Sequence, residues 1–375
     1  MTNLPIDPID LTRELVHMPS ESSLPIQTNS ESPEHEVCAY LTTICHQAGI
    51  KYELQEALPN RQNLIAYFPS PGRPKLLIMA HMDTVSAGKM EAPFAGDIRD
   101  NKLWGRGACD DKGPLAAAFC SLLTLHQQKA ELAYDVTFVA TVNEECGMSG
   151  AKALKEIIEP FDLCLGFEPT GLEIVHAHKG VYRCRISTKG AAAHSSEPEK
   201  GRNAIIGMYD IMTDLQMLEF RLRRHPDKEL GRASLAITQI QGGSSINIIP
   251  DHCEISVDIR LLPNQSPREM AGRVREIVGG RGEVTDLFEA RGIKTDMESD
   301  HIKSFQQILR ESGYDAPPAN ASYATDCAQV SHLGPCIIWG PGSIEQAHQT
   351  EEFIEIKQLQ KAYEIMKKFL ASPKS

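Results

Sequence analysis

With 375 residues the chain is longer than one ordinary hydrophobic core, and two domains are expected. Its 41% hydrophobic and 23% charged content is that of a soluble globular protein. The excess of 50 acidic over 38 basic residues, a net charge of −12, argues against a nucleic-acid or anionic-membrane partner.

The beginning, MTNLPIDPIDLTREL, is acidic and has no basic stretch followed by an apolar one, so no targeting signal is read there. No apolar run reaches the length of a membrane span. The ten cysteines form no CxxC pair, and Cys45, Cys120, Cys164 and Cys336 fall inside apolar runs. They read as reduced, buried thiols of a cytoplasmic protein. Cys109 and Cys146 adjoin acidic residues of interest, but the neighbouring carboxylates are the better ligands.

In chain order, DLTRELVHM and HEVCAYLTTICHQAG have helical spacing and are separated by the loop PSESSLPIQTNSESPE. NLIAYF and KLLIMA read as strands, LAAAFCSLLTLHQQ as a helix opening after Asp111-Lys112, and YDVTFVATV as a buried strand. AKALKEII is a helix and FDLCLGF another buried strand. This alternation predicts an α/β fold with a mostly parallel sheet flanked by helices.

From about Gly180 the pattern becomes VYRCRIST, a long helix (NAIIGMYDIMTDLQMLEFRLRR), ASLAITQI, HCEISVDIR, a helix (PREMAGRVREIVG) and GEVTDLF. That β-α-β-β-α-β order is the ferredoxin-like arrangement. In EISVDIR the apolar Ile255, Val257 and Ile259 alternate with polar residues, which puts Arg260 on the open face. PCIIWG then resumes buried-strand character, and IEIKQLQKAYEIMKKFL is a closing helix. The expected organisation is a catalytic domain of residues 1–179 and 292–375, interrupted by a small domain of residues 180–291.

Several acidic and imidazole residues follow the apolar runs: His81 and Asp83 in LLIMAHMD, Asp110 in GRGACDDKG, Glu144 and Glu145 in TFVATVNEE, Glu168 in LCLGFEP, and His348 in GPGSIEQAH. In an open parallel sheet the ligand crevice lies beyond the carboxyl ends of the strands, so these side chains are expected to converge. Imidazoles mixed with carboxylates suit a pair of divalent metals, with zinc the best match. Each residue alone has an ordinary reading. HMD could be a surface motif, Asp110 and Asp111 could cap a helix, and Glu144 or Glu145 could open one. His348 could be an exposed loop histidine. Five such coincidences at strand ends favour the metal reading. Asp83 is placed to accept the second ring N–H of His81. One of the two adjacent glutamates is expected on metal and the other as a general base toward an attacking water.

The segments HMDTV, GRGACDDKG, ATVNEECGMSGA, GFEPTG, HAHKG, GAAAHSSEPEKGRNAI, SSINIIPDHCEISVDIRLLP and GPGSIEQAH together resemble the dinuclear-zinc amidohydrolase and exopeptidase family. Acetylornithine deacetylase, succinyl-diaminopimelate desuccinylase and glutamate carboxypeptidase are among its members. The match runs through nearly the whole chain in order, and FEPT, AHKG, DIRLLP and GPGSIEQAH are most similar to the acetylornithine deacetylase branch. The resemblance implies two Zn2+ (Co2+ or Mn2+ as substitutes) bridged by Asp110, with His81 and Glu168 on one ion and Glu145 and His348 on the other. It further implies Glu144 as general base, Asp83 as the residue orienting His81, and a non-proline cis peptide between Asp110 and Asp111. In the inserted domain it implies that His194 steadies the oxyanion, that Asn247 and Arg260 bind substrate, and that the domain is a lid through which a homodimer forms. His194 read alone is a turn residue, whereas Arg260 suits bidentate capture of a carboxylate on chemical grounds too.

The expected reaction is hydrolysis of the amide of a small N-acyl amino acid. The alternatives are a metallo-carboxypeptidase or dipeptidase, a desuccinylase-like deacylase, or a non-catalytic binding descendant. The last would lack a ligand or the base, and none is missing.

Overall fold

The computed structural model describes residues 4, 6–22 and 32–371; much of the serine-rich loop read from the sequence lies outside them. The chain forms two compact units, one of Met1–His176, Thr295–Ala319 and Thr325–Ser375, the other of Ala177–Lys294 with Asn320–Ala324.

The first unit opens with helices α1 (Pro8–Val16) and α2 (His35–Ala48) and strands β1 (Lys51–Leu58), β2 (Arg61–Phe68) and β3 (Lys75–His81). It continues through β4 (Asp97–Arg99), β5 (Lys102–Trp104), α3 (Lys112–Gln127), β6 (Asp135–Thr141), α4 (Glu144–Gly147), α5 (Ser149–Leu154), β7 (Leu163–Gly166) and β8 (Val175–His178). The chain then runs through the second unit, from β9 (Gly180–Lys189) and β10 (Ala193–His194) to α6 (Ala204–Leu222), β11 (Ser234–Gly242), β12 (Ile248–Ile249) and β13 (His252–Leu261). That unit closes with α7 (Pro267–Val278), β14 (Glu283–Ala290) and β15 (Ile293–Lys294). Helix α8 (Asp300–Glu311), β16 (Ala319–Ala321), α9 (Cys327–Val330), β17 (Cys336–Ile338), β18 (Phe353–Glu355) and α10 (Ile356–Leu370) follow.

The main sheet runs β1-β2-β6-β3-β7-β17-β8. Its centre is parallel, because β3 pairs in parallel with both β6 and β7, and β7 with β17. The outer pairs β1-β2, β2-β6 and β17-β8 are antiparallel. Strand β3 explains itself: Leu76 to Ala80 are all buried, as a strand covered on both faces requires. Helix α3 is buried from Lys112 to Leu125, the signature of a helix enclosed all round, and it packs against α1, α10 and β3. Helix α10 turns Leu359, Ala362, Ile365, Met366, Phe369 and Leu370 inward at helical spacing. Helix α2 ends on Gly49 at φ 69°, where a left-handed residue lets the Ile50 N–H return to the Cys45 carbonyl (2.9 Å).

Register matters for function here. His81 is level with Thr141 on β6, and Met79 is level with Gly166 on β7. Three neighbouring strands therefore end together, and the residues after them emerge on one edge of the sheet.

The second unit has a four-stranded antiparallel sheet in the order β11-β13-β9-β14, against which α6 and α7 pack. Chain order β9-α6-β11-β13-α7-β14 is the ferredoxin-like arrangement. Helix α6 buries Met208, Ile211, Leu215, Leu218 and Leu222, and the Asn203 side chain caps it by accepting from the Ile205 N–H at 2.9 Å. Residues 320–324 also belong to this unit, although in sequence they follow its last long strand by some thirty residues.

Candidate metal centre

Asp110 lies at the centre of the cluster. Its Oδ1 is 3.1 Å from His81 Nε2, and its Oδ2 is 3.4 Å from His348 Nε2. His348 Nε2 is also 3.0 Å from Glu145 Oε2. Donor atoms of His81, Asp110 and Glu145 all lie within 4.8 Å of one another. One carboxylate thus offers a separate oxygen to each of two imidazoles. The peptide between Asp110 and Asp111 is cis.

Each neighbour is placed by the sheet edge. His81 is the last residue of β3, and its ring Nδ1–H donates to the Asp83 carbonyl (2.9 Å). That bond orients the ring and points its Nε2 at Asp110. The Asp83 carboxylate lies 3.6 Å from Nδ1 as an ion pair and also accepts the N–H of Glu144 (2.9 Å) and of Glu145 (3.2 Å). Asp83 therefore steers His81 through the main chain and both glutamates through its side chain. Glu144 and Glu145 do not end a strand. They open the one-turn helix α4, entered through Asn143 at φ 61°. Glu168 follows β7 by two residues and is buried. His348, at φ 63°, is half exposed but engaged.

The electrostatics point to missing positive charge. Burial would lower the pKa of His81, yet hydrogen bonds to the carboxylates raise it well above the usual imidazole range. His348 is pushed up to about 10 by Asp110 and Glu145. Burial opposes ionisation of Asp110, but His348 and His81 hold it below the usual carboxylate range. Burial raises Glu144 well above that range, with His81 opposing and the charges of Asp326, Glu145 and Asp83 adding to the rise. Glu168 is raised well above it by burial and by Glu144. So many carboxylates around two imidazoles leave negative charge that divalent cations would neutralise. Imidazole nitrogen and carboxylate oxygen are donors such ions accept. The residues fit a metal pair.

The thiols do not compete. Burial pushes Cys109 well up and Cys146 up to about 11, which disfavours a thiolate at either. Elsewhere Cys164, Cys327 and Cys336 bring their sulfurs within 4.8 Å of one another. All three are buried, and burial raises Cys164 well above the ordinary thiol range.

His194, Asn247 and Arg260 belong to the second unit. β10 and β12 form a short ribbon in which His194 is level with Ile248, bringing it beside Asn247, whose carbonyl accepts the Ser195 N–H at 3.0 Å. His194 Nδ1 accepts the Ser196 N–H (3.2 Å), so in the neutral ring Nε2 carries the proton. Arg260 lies on the half-exposed face of β13, as the alternation in its strand requires. It is not idle there: Nε and Nη2 donate to the two carboxylate oxygens of Asp258 at 2.7 and 3.3 Å.

Two supporting residues were not singled out from the sequence. Lys112 is fully buried, with Nζ donating to the Met18 carbonyl at 2.7 Å, and burial lowers it to about 7. Glu34, ion-paired with Arg61, accepts the Asn143 N–H at 3.1 Å and so holds the turn before Glu144. DDKG was a visible signal for the first; nothing in the sequence marked the second.

An α/β sheet with histidines and carboxylates gathered beyond its strand ends defines a metal-dependent hydrolase. Comparison with known proteins gives the same class. The family model for peptidase family M20/M25/M40 matches residues 77–372, and the chain belongs to that family. It is 31% identical over 378 residues to an acetylornithine deacetylase of Proteus mirabilis, covering 96% of this chain and 94% of that protein. An acetylornithine deacetylase of Vibrio cholerae is 32% identical over 335 residues, covering 85% and 86%. Among solved structures, an M20 family metallo-carboxypeptidase from Sulfolobus solfataricus matches with a TM-score of 0.81 at 19% identity, over 97% of this chain and 98% of that one. A dinuclear metal binding peptidase of the M20 family from Bacillus subtilis matches with a TM-score of 0.70 at 19% identity, over 96% of each chain. At those identities the structural matches show the fold. Among the described residues no helix is long and apolar enough to cross a membrane.

Proposed function

We propose that the protein deacylates a small N-acyl amino acid, with N-acetylornithine as the model substrate, and that its cofactor is a pair of Zn2+ ions. The observation that carries this is the position of Asp110, with one oxygen toward His81 and the other toward His348. Asp110 would be shared between the two ions, with His81 and Glu168 holding one and Glu145 and His348 the other. When bound, such a pair supplies Lewis acidity toward the scissile carbonyl and lowers the pKa of water.

Glu144 takes a proton from the attacking water and delivers it to the leaving nitrogen. Its pKa, raised by burial, suits a group that must hold a proton as well as accept one. Asp83 fixes the Glu144 and Glu145 main chain, and its carbonyl orients the His81 ring. His194, with its Nε2–H free to donate, steadies the carbonyl oxygen as it gains charge. Arg260 receives a substrate carboxylate and Asn247 a further polar group, for which Arg260 must share or exchange Asp258.

The first unit is the catalytic domain and the second the lid and dimerisation domain of a cytoplasmic homodimer. The dimer surface is the edge strand β11 with the outer face of α6, where Tyr209 and Phe220 are 65% and 58% exposed. The test is a screen of N-acyl amino acids for amine release by zinc-loaded protein, with Glu144→Ala in parallel. Release that requires Glu144 supports the reading, and equal rates in the two proteins would refute the assignment of the base.

A further inference from the structure

We infer that Glu352 is a positioning residue that sets the metal pair by tying the loop of Asp110 to the loop of His348. It is the fourth residue after His348, immediately before β18, and is fully buried. Among the described residues, its carboxylate accepts from the Asp110 loop. Oε1 takes the N–H of Cys109 (2.9 Å) and of Asp110 (3.0 Å). Oε2 takes the N–H of Gly107 (3.1 Å) and Nη1 of Arg106. The Glu352 carbonyl also accepts the Gly105 N–H at 3.1 Å.

Arg106 completes the tie from the other side. It too is buried, and its Nη2 donates to the Gln349 carbonyl, next to His348, at 3.2 Å. The Asp110 loop cannot shift without breaking these bonds. Gly107 has φ 82°, and a Cβ there would lie 2.7 Å from Thr84 Cγ2. Hydrogen bonds to a carboxylate from main-chain N–H groups and a guanidinium are charge-assisted and stronger than neutral ones, so the loop is firmly held. Because Glu352 and His348 share one short segment, the same bonds fix how far His348 stands from Asp110 Oδ2. With its carboxylate engaged by main-chain N–H groups and Arg106, Glu352 acts through Asp110 and His348, and this role rests on the metal-pair reading above.

The test is a calorimetric titration of zinc into metal-stripped full-length protein, comparing wild type with Glu352→Gln. The amide can still accept on one side but presents a donor to Gly107 and Arg106 on the other. Loss of a group that orients a ligand typically weakens metal binding about 10- to 100-fold. The expected result is that the weaker zinc constant shifts by that factor and that excess zinc restores turnover. Zinc constants matching wild type would overturn the inference, even with a lowered melting temperature. Should Glu352→Gln not fold, Arg106→Gln keeps the Glu352 carboxylate's main-chain bonds and removes the guanidinium's bonds to Glu352 and to the Gln349 carbonyl. A smaller shift in the same direction is expected there, and unchanged constants again overturn the inference. A wild-type protein that takes up no zinc pair would overturn the proposed function along with it.

Discussion

His81 and Asp83 are joined through the main chain: the His81 Nδ1–H donates to the Asp83 carbonyl at 2.9 Å, while the Asp83 carboxylate accepts from Glu144 and Glu145. Asp83 thus controls a strand-end imidazole and the turn carrying the proposed base from one buried position. Substitution with Asn keeps the carbonyl but turns one carboxylate oxygen into a donor facing an N–H. Asp83→Asn is expected to cost about 1–3 kcal/mol of stability, the penalty for an unmade buried bond, and to lower turnover by disturbing Glu144. Chemical denaturation beside steady-state kinetics checks both.

Glu144 and the ligands separate cleanly by experiment. Glu144→Gln keeps size and polarity but cannot shuttle a proton, and a general acid–base group contributes about 10²–10⁴-fold. The expected outcome is a loss of kcat in that range with metal content equal to wild type. Glu145→Gln and His348→Ala are expected to lose metal as well as activity, measured by metal analysis after dialysis.

Chelation is expected to remove activity and lower thermal stability together, both returning on addition of zinc. An ion present at a hundred times its Kd stabilises the folded state by about 2.7 kcal/mol. Thermal unfolding with and without a chelator reads this directly. Equal melting curves would show that the acidic cluster holds no ion.

Arg260 already pairs with Asp258, so a substrate carboxylate must compete for it. Arg260→Lys loses the planar two-point geometry. If the group binds ground and transition states alike, KM rises while kcat holds. Charge-assisted bonds worth ~1.5–3 kcal/mol correspond to a rise of about 10- to 100-fold. Asp258→Ala, by freeing Arg260, is expected to move KM far less.

The dimer is tested by sedimentation. Tyr209→Glu with Phe220→Glu on the exposed face of α6 is expected to give monomers with an intact fold. A fully active wild-type monomer would contradict the proposed assembly.

The sequence made some features legible and hid others for physical reasons. KLLIMAH reads as a strand buried on both faces because nothing polar interrupts it, and β3 is that strand. EISVDIR alternates because one face is half exposed, and β13 follows it. Strand β1 was not visible, since KYELQEAL lies largely exposed at the sheet edge and carries no apolar rhythm. Glu144 and Glu145 read as a strand end because VTFVATV runs up to them; the turn at Asn143 needs a left-handed residue that the apolar pattern does not encode. The Asp83 carboxylate was expected on His81; it stands 3.6 Å from His81 Nδ1 and also takes two N–H groups of α4. Glu352 was silent because its partners lie more than two hundred residues away.

The most direct measurement is kcat/KM of zinc-loaded wild-type protein for N-acetylornithine set against a panel of dipeptides under the same conditions. The expected result is faster release of acetate from N-acetylornithine than cleavage of any dipeptide. Faster dipeptide cleavage would contradict the deacylase reading and make the protein a peptidase of the same metal site.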